Sequence, residues 1–189
     1  MKTVKMIALL LIAGTFALSA QKMDIKPSDA VVKWTGNKIG GAHNGEIKVK
    51  SGALELKAGN IIKGNVVIDM KSMTCKDIEN ETYNKKLIDH LISDDFFGVE
   101  KFPTATFAIT KAGKFNNGKA TVTGSLTIKG KTEVISFEVS KLNNIYSTQL
   151  KVDRSKFDVR YGSNSFFDNL GDKAIDNIFI LDIQFTAKQ

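Results

Sequence analysis

Few residues in this chain are of the types that bond-making chemistry needs. Its 189 residues include two histidines and one cysteine. His43 sits in Gly40-Gly41-Ala42-His43-Asn44-Gly45, and His90 lies far downstream in a stretch with helical spacing. Either imidazole suits a general base, because its ordinary pKa lies near neutrality. Neither stands at metal-ligand spacing from the other, and one Cys cannot build a thiolate metal site. A lone His more often caps a turn or bonds the backbone than performs catalysis. Asp89, Asp94 and Asp95 gather locally. Paired carboxylates can share acid–base work or hold a cation. Here Ser93-Asp94-Asp95 reads as a turn-capping stretch, and calcium-loop periodicity is missing. The sequence contains no G-x-S-x-G, P-loop or dinucleotide fingerprint. Cys75, the sole thiol, reads as a half-buried core residue, since no second Cys stands near to resolve a redox step.

What the chain has in quantity is apolar and aromatic material. It is 42% hydrophobic and 25% charged, with 12 Phe, three Tyr and one Trp. That composition describes one globular domain long enough to bury a sizeable core. Two Pro and 15 Gly exclude a Pro-rich or collagen-like chain. The net charge of +7 is dispersed: Lys48, Lys50, Lys57 and Lys63 alternate with apolar residues as a solvated strand face. Nucleic-acid binding would call for clustered cations interleaved with aromatics, so no nucleic-acid partner is expected.

The elements that must position these residues are mostly strands. Apolar–polar alternation recurs in Ala30–Thr35, Glu46–Lys50, Gly52–Lys57, Ile61–Asp69 and Thr104–Thr110, then in Thr121–Ile128, Val134–Val139, Ile145–Val152 and Phe179–Phe185. Asn116-Asn117-Gly118, Lys129-Gly130-Lys131 and Asn143-Asn144 mark tight turns, because Asn and Gly accept positive φ. About eight or nine closely spaced strands predict an antiparallel sandwich or barrel. One helix interrupts them, from about Glu79 to Ile92. Asn80 is its candidate N-cap, and Tyr83, Leu87, Ile88 and Leu91 form its apolar stripe. Phe96-Phe97 follows and is expected to pack that helix onto the open end of the sheet. Gly64 and Gly124 inside strands fit either a bend or a widened interior. An eight-stranded barrel can fill itself with side chains or hold one small ligand, and both outcomes stay open at this level.

The first twenty residues form a separate unit. Lys2 and Lys5 precede the apolar run Met6–Ala13, and small residues close the stretch at Ala17-Leu18-Ser19-Ala20. This is the order of a secretory signal peptide, with cleavage near Ala20 and Gln21. The run is too short to span a bilayer, as is every other apolar run in the sequence. The expectation is a periplasmic or secreted protein of one domain, residues 21–189, without a stable membrane span.

Several segments together resemble a known family. Trp34-Thr35-Gly36 followed by His43-Asn44-Gly45 resembles the opening of the YceI-like family, exported lipocalin-like proteins that bind polyisoprenoids. The block from His90 through Ser93-Asp94-Asp95-Phe96-Phe97-Gly98 to Phe102-Pro103-Thr104-Ala105-Thr106-Phe107 is similar to that family's most distinctive stretch. Gly124-Ser125-Leu126-Thr127-Ile128-Lys129-Gly130 matches its central hairpin, and Asp153-Arg154-Ser155-Lys156-Phe157 its late Asp-Arg-Ser segment. The matches run in order through nearly all of residues 21–189. The chain departs from the pattern at Asp158–Phe167, where relatives often carry a Gly soon after the Phe. That difference would reshape the pore mouth.

The resemblance implies an all-β, antiparallel eight-stranded lipocalin-like barrel with a helix near one end. It implies a long apolar pore holding an isoprenoid chain, such as a polyprenyl lipid or a quinone tail, and often a homodimer. It transfers no catalytic residue, cofactor or metal. By strand parity, Phe107, Leu126, Phe137, Leu181, Ile183 and Phe185 are candidate pore-lining residues. Trp34, Phe96, Phe97, Phe102 and Tyr161 are candidates for its mouth. Two other functions compete: an enzyme acting on a lipid or isoprenoid with His43 or His90 as base, and a filled-barrel interaction module presenting Phe166-Phe167.

Overall fold

The computed structural model describes residues 19–188. The stretch read as a signal peptide falls almost wholly outside them. Among the described residues the strands are β1 (Gln21–Ile25), β2 (Ala30–Lys38), β3 (Gly41–Lys57), β4 (Asn60–Cys75), β5 (Thr104–Ala112), β6 (Lys119–Ile128), β7 (Lys131–Leu142), β8 (Ile145–Asp153) and β9 (Ile175–Thr186). One helix, α1 (Glu81–Ile92), joins β4 to β5.

All pairings are antiparallel, and they close a barrel. The order runs β3-β2-β9-β8-β7-β6-β5-β4 and returns to β3. It has eight staves because β1 and β2 are two halves of one. β2 pairs with the first part of β3 and β1 with Gly52–Leu56. A one-turn helix at Pro27–Asp29 separates them, where proline has no N–H to give a ladder.

Alternation explains most of this, and register shifts explain the departures from it, most visibly in β3. In β3 the buried residues Ile47 and Val49 are odd-numbered, whereas Leu54 and Leu56 are even. The sequence therefore reads as two short strands. The structure has one strand of 17 residues, with a register shift against β4 between Val49 and Ser51. A bulge adds a residue to one strand and moves every later side chain to the opposite face. The turns follow their residue types: Asn117 and Gly118 have φ of 50° and 75°, and Asn143 has 55°.

The strand glycine Gly124 stands where the β5–β6 register shifts between Ile109 and Lys111, and it makes room for a neighbouring ring. A Cβ there would lie 2.4 Å from the Ala108 carbonyl oxygen and 2.5 Å from the Phe107 ring. Its missing side chain is the space that Phe107 fills.

Helix α1 sits at one end of the barrel. The Asn80 side chain accepts the Tyr83 amide at 3.1 Å, which is the expected cap. Asn84 ties the helix back to β4 by donating to the carbonyls of Cys75 (3.1 Å) and Ile78 (2.9 Å). Ile88, Leu91 and Ile92 pack against the core. Tyr83 does not belong to that stripe: it is 62% exposed, beneath the Lys86 ammonium. Asp94 pairs with Lys101 at 2.6 Å and Asp89 with Lys85 at 2.5 Å, so these carboxylates meet lysines rather than cap the turn.

Candidate functional site

The inward faces of the staves do not meet at the centre. They enclose a cavity of about 220 Å³ whose wall reaches from Ile25, Leu54, Ile61 and Phe185 at one end to Leu91, Phe96 and Phe97 beneath the helix. Most of the wall is aliphatic or aromatic. The polar wall residues are Thr106, Ser147, Thr148, Arg154 and Asp176. A dry passage of this kind accepts a hydrocarbon, because each methylene moved out of water is worth about 0.8 kcal/mol.

The strands set the wall by parity. Phe107, Leu126 and Phe137 come from three neighbouring staves, and the Phe107 and Phe137 rings stand 5.3 Å apart. Leu181, Ile183 and Phe185 line the cavity from β9. Trp34, Phe96 and Phe97 line it near the helix. Trp34 is held there by its indole N–H, which donates to the Thr74 carbonyl at 3.0 Å. Its ring lies over Gly45, where a Cβ would meet it at 2.8 Å.

Phe102 and Tyr161 lie off this wall. The Phe102 ring covers Gly130, where a Cβ would approach it to 2.9 Å. Tyr161 is 46% exposed and borders a separate outer hollow with Asp94, Asp95, Lys129, Arg160 and Lys173. Its ring stands edge-on to His90, with centroids 4.3 Å apart. Both residues sit in loops, where no period-2 pattern fixes the direction of a side chain.

Sequence reasoning placed Arg154 in the late Asp-Arg-Ser segment but gave it no role. It is 2% exposed and lines the cavity. Its Nε donates to the Asp176 carbonyl at 3.0 Å and Nη2 to the Ile175 carbonyl at 2.9 Å. Nη1 donates to the carbonyls of Val159 and Tyr161, both at 2.8 Å. The guanidinium also lies over the Phe96 ring at 5.4 Å. One buried cation thus ties the late loop to the start of β9. Burial pulls its pKa down, and the nearby carboxylates of Asp153 and Asp176 oppose that. Nothing in the spacing of the Asp153-Arg154-Ser155 segment announces this role.

The two histidines are not on the cavity wall. His90 is half-buried between Phe96 and Tyr161. The His43 Nδ1 lies 2.8 Å from Asp77 Oδ2, while Asp77 Oδ1 accepts the Asn44 amide at 2.8 Å and the Cys75 thiol at 3.3 Å. A carboxylate-oriented imidazole beside a thiol has the composition of a nucleophilic site. Burial, however, pushes the Cys75 thiol above its ordinary pKa, the opposite of an activated thiolate. The cluster latches the start of β3 to the segment after β4.

Asp77 carries a pH dependence. Burial alone would raise its pKa, but the three donors outweigh that and hold it at about 2, below the usual 3.8. A folded-state pKa below the unfolded one means that the ionised carboxylate stabilises the fold above about pH 4, and that this contribution is lost as pH falls through about 2. For a partly exposed group it amounts to on the order of 1–2 kcal/mol. Wild type is therefore expected to be more stable than Asp77→Asn near neutrality, with the gap shrinking between about pH 4 and pH 2. Urea midpoints of both proteins across that range test this; a gap that does not change with pH refutes it.

Comparison with known proteins places these features in a wider set. The family model described as "YceI-like domain" matches residues 23–187. A UPF0312 protein of Vibrio parahaemolyticus is 32% identical over 136 residues, 68% of each chain. A UPF0312 protein of Pseudomonas putida is 29% identical over 132 residues, covering 69% of this chain and 66% of its own. Among solved structures, BcnA of Burkholderia cenocepacia superposes with a TM-score of 0.65 at 21% identity, over 88% of this chain and all of its own. A polyisoprenoid binding domain from Saccharophagus degradans does so with a TM-score of 0.57 at 12% identity, over 88% of this chain and 97% of its own.

Proposed function

The chain belongs to the YceI-like family, and from that premise we propose that it binds an isoprenoid-type lipid, a polyprenyl chain or a quinone tail, inside the barrel and stores or carries it outside the cytoplasm. The observation that carries this reading is the apolar cavity running from the helix-capped end to the β1 end. The fold is shared with a domain described as polyisoprenoid binding. Family and fold neighbours alike point to a binding protein rather than an enzyme.

A lipid of this kind needs length and dryness from its site and few polar anchors. One buried isoprene unit contributes a few kcal/mol before the cost of ordering the chain. Trp34, Phe96, Phe97, Phe107, Leu126, Phe137, Leu181, Ile183 and Phe185 are the proposed contacts, as wall residues. The basic and apolar order of residues 2–20 supports export.

The test is organic extraction of the purified full-length protein followed by mass spectrometry. A recovered isoprenoid in near-stoichiometric amount is the expected result. Absence of any lipid from several preparations, together with no binding of added all-trans-retinol or farnesol, would defeat the proposal.

A further inference from the structure

The barrel has one weak seam. Every other pair of neighbouring staves is joined by six or more paired residues. Between β7 and β8 pairing covers Leu142–Ile145, Lys141–Tyr146 and Ser140–Ser147 and then stops, although β7 runs back to Lys131 and β8 on to Asp153. At the point where it stops, the Thr148 hydroxyl donates to the Glu138 carbonyl at 2.7 Å, in place of a backbone rung. Beyond it, among the described residues, no ladder joins the two edges.

The cavity reaches this seam. Ser147 and Thr148 both line it. On the other edge Ile135 and Phe137 point inward yet are only half-buried, whereas Val122, the β6 partner of Phe137, is 1% exposed.

Aromatic side chains crowd both ends of the barrel. At the helix end Phe96, Phe97, Arg154 and Phe179 pack on one another. At the other end Tyr146 is fully buried, stacked on Phe185 at 5.2 Å and edge-on to Phe115 at 6.2 Å. Val134, beside the unpaired stretch of β7, is exposed, as are Leu142 and Ile145 at the paired hairpin end.

We propose that the slit between β7 and β8 is the route by which an apolar chain enters and leaves the cavity, sideways through the wall and not through an end. This rests on the carrier reading and adds to it a location and a mechanism. A linear hydrocarbon needs a long, narrow, partly apolar opening, and separating two edges that share few hydrogen bonds breaks few of them. The wetted edges keep their backbone groups solvated while the chain passes.

The test clips the slit shut. In a Cys75→Ser background, Ser136→Cys and Lys151→Cys stand where the Ser140–Ser147 register, continued, would make them opposite. A short bis-methanethiosulfonate joins them, and reductant releases them. The control clip joins Thr121→Cys to Glu138→Cys across the complete β6–β7 ladder. Loading of all-trans-retinol from phosphatidylcholine vesicles is followed by its fluorescence. The expected result is loading at least tenfold slower in the clipped β7–β8 protein, recovery on reduction, and no effect of the control clip. Equal loading rates with the slit clipped and open overturn the lateral route while leaving the carrier reading standing. Failure of the unclipped wild type to load retinol at all overturns both.

Discussion

Replacing Leu126 with Trp is expected to abolish tight binding of a long isoprenoid while leaving the barrel folded. Leu126 is 7% exposed, lies opposite Phe107 in the β5–β6 ladder and lines the cavity. An indole at this position projects toward the Phe107–Phe137 pair and blocks the passage. A chain stopped there loses the burial of several methylenes, each worth about 0.8 kcal/mol. At 1.4 kcal/mol per tenfold, that is a loss of affinity of roughly 100-fold or more. Overpacking costs about 1–3 kcal/mol of stability, less than a domain of this size commands. Leu126→Met, close in volume, should bind within a few-fold of wild type. Retinol titration and urea unfolding of the two variants provide the check. If Leu126→Trp binds as well as wild type, the ligand does not occupy the middle of the barrel.

Replacing Arg154 with Met should destabilise the fold more than any single apolar truncation near it. The change removes four donated hydrogen bonds and leaves the carbonyls of Val159, Tyr161, Ile175 and Asp176 without that partner in a site that is 2% exposed. Leaving a buried acceptor without its donor typically costs about 1–3 kcal/mol. Arg154→Lys restores the cation but concentrates its donors on one nitrogen, which cannot reach carbonyls spread from residue 159 to 176. It should recover only part of the loss. Urea midpoints at neutral pH test the order wild type, Lys, Met. A loss below about 1 kcal/mol for Met would show that the late loop is held by something other than this guanidinium.

The cavity wall was legible to the extent that period 2 governs it. Phe107, Leu126, Phe137, Leu181, Ile183 and Phe185 lie on strands, where the alternating pleat settles which way each side chain points. Phe102 and Tyr161 lie between elements, and their directions come from contacts with Gly130 and His90. The single long β3 was read as two strands because a bulge reverses parity, and a reversal looks like an interruption. Tyr83 fitted the helical period but fell on the edge of the stripe, where a large ring stays in water. His43 was read as capping a turn or bonding the backbone, but it stands in β3 and meets a carboxylate 34 positions away, beyond any local pattern.

Amino-acid order alone determined most of the strands, their turns, the helix and its Asn80 cap, because each depends on side chains a few positions apart; β1 went unread and β3 was read as two. It also determined the family, through short motifs kept in order along the chain. Tertiary structure decided that the staves enclose space and do not fill it, that Arg154 is buried at one end of that space, and that the β7–β8 seam is joined only near its hairpin. These three features come from how distant segments fit together once the sheet has closed. A void is a property of surfaces that fail to meet, and a lapsed ladder is a property of two edges, so neither is carried by any residue taken singly or with its sequence neighbours.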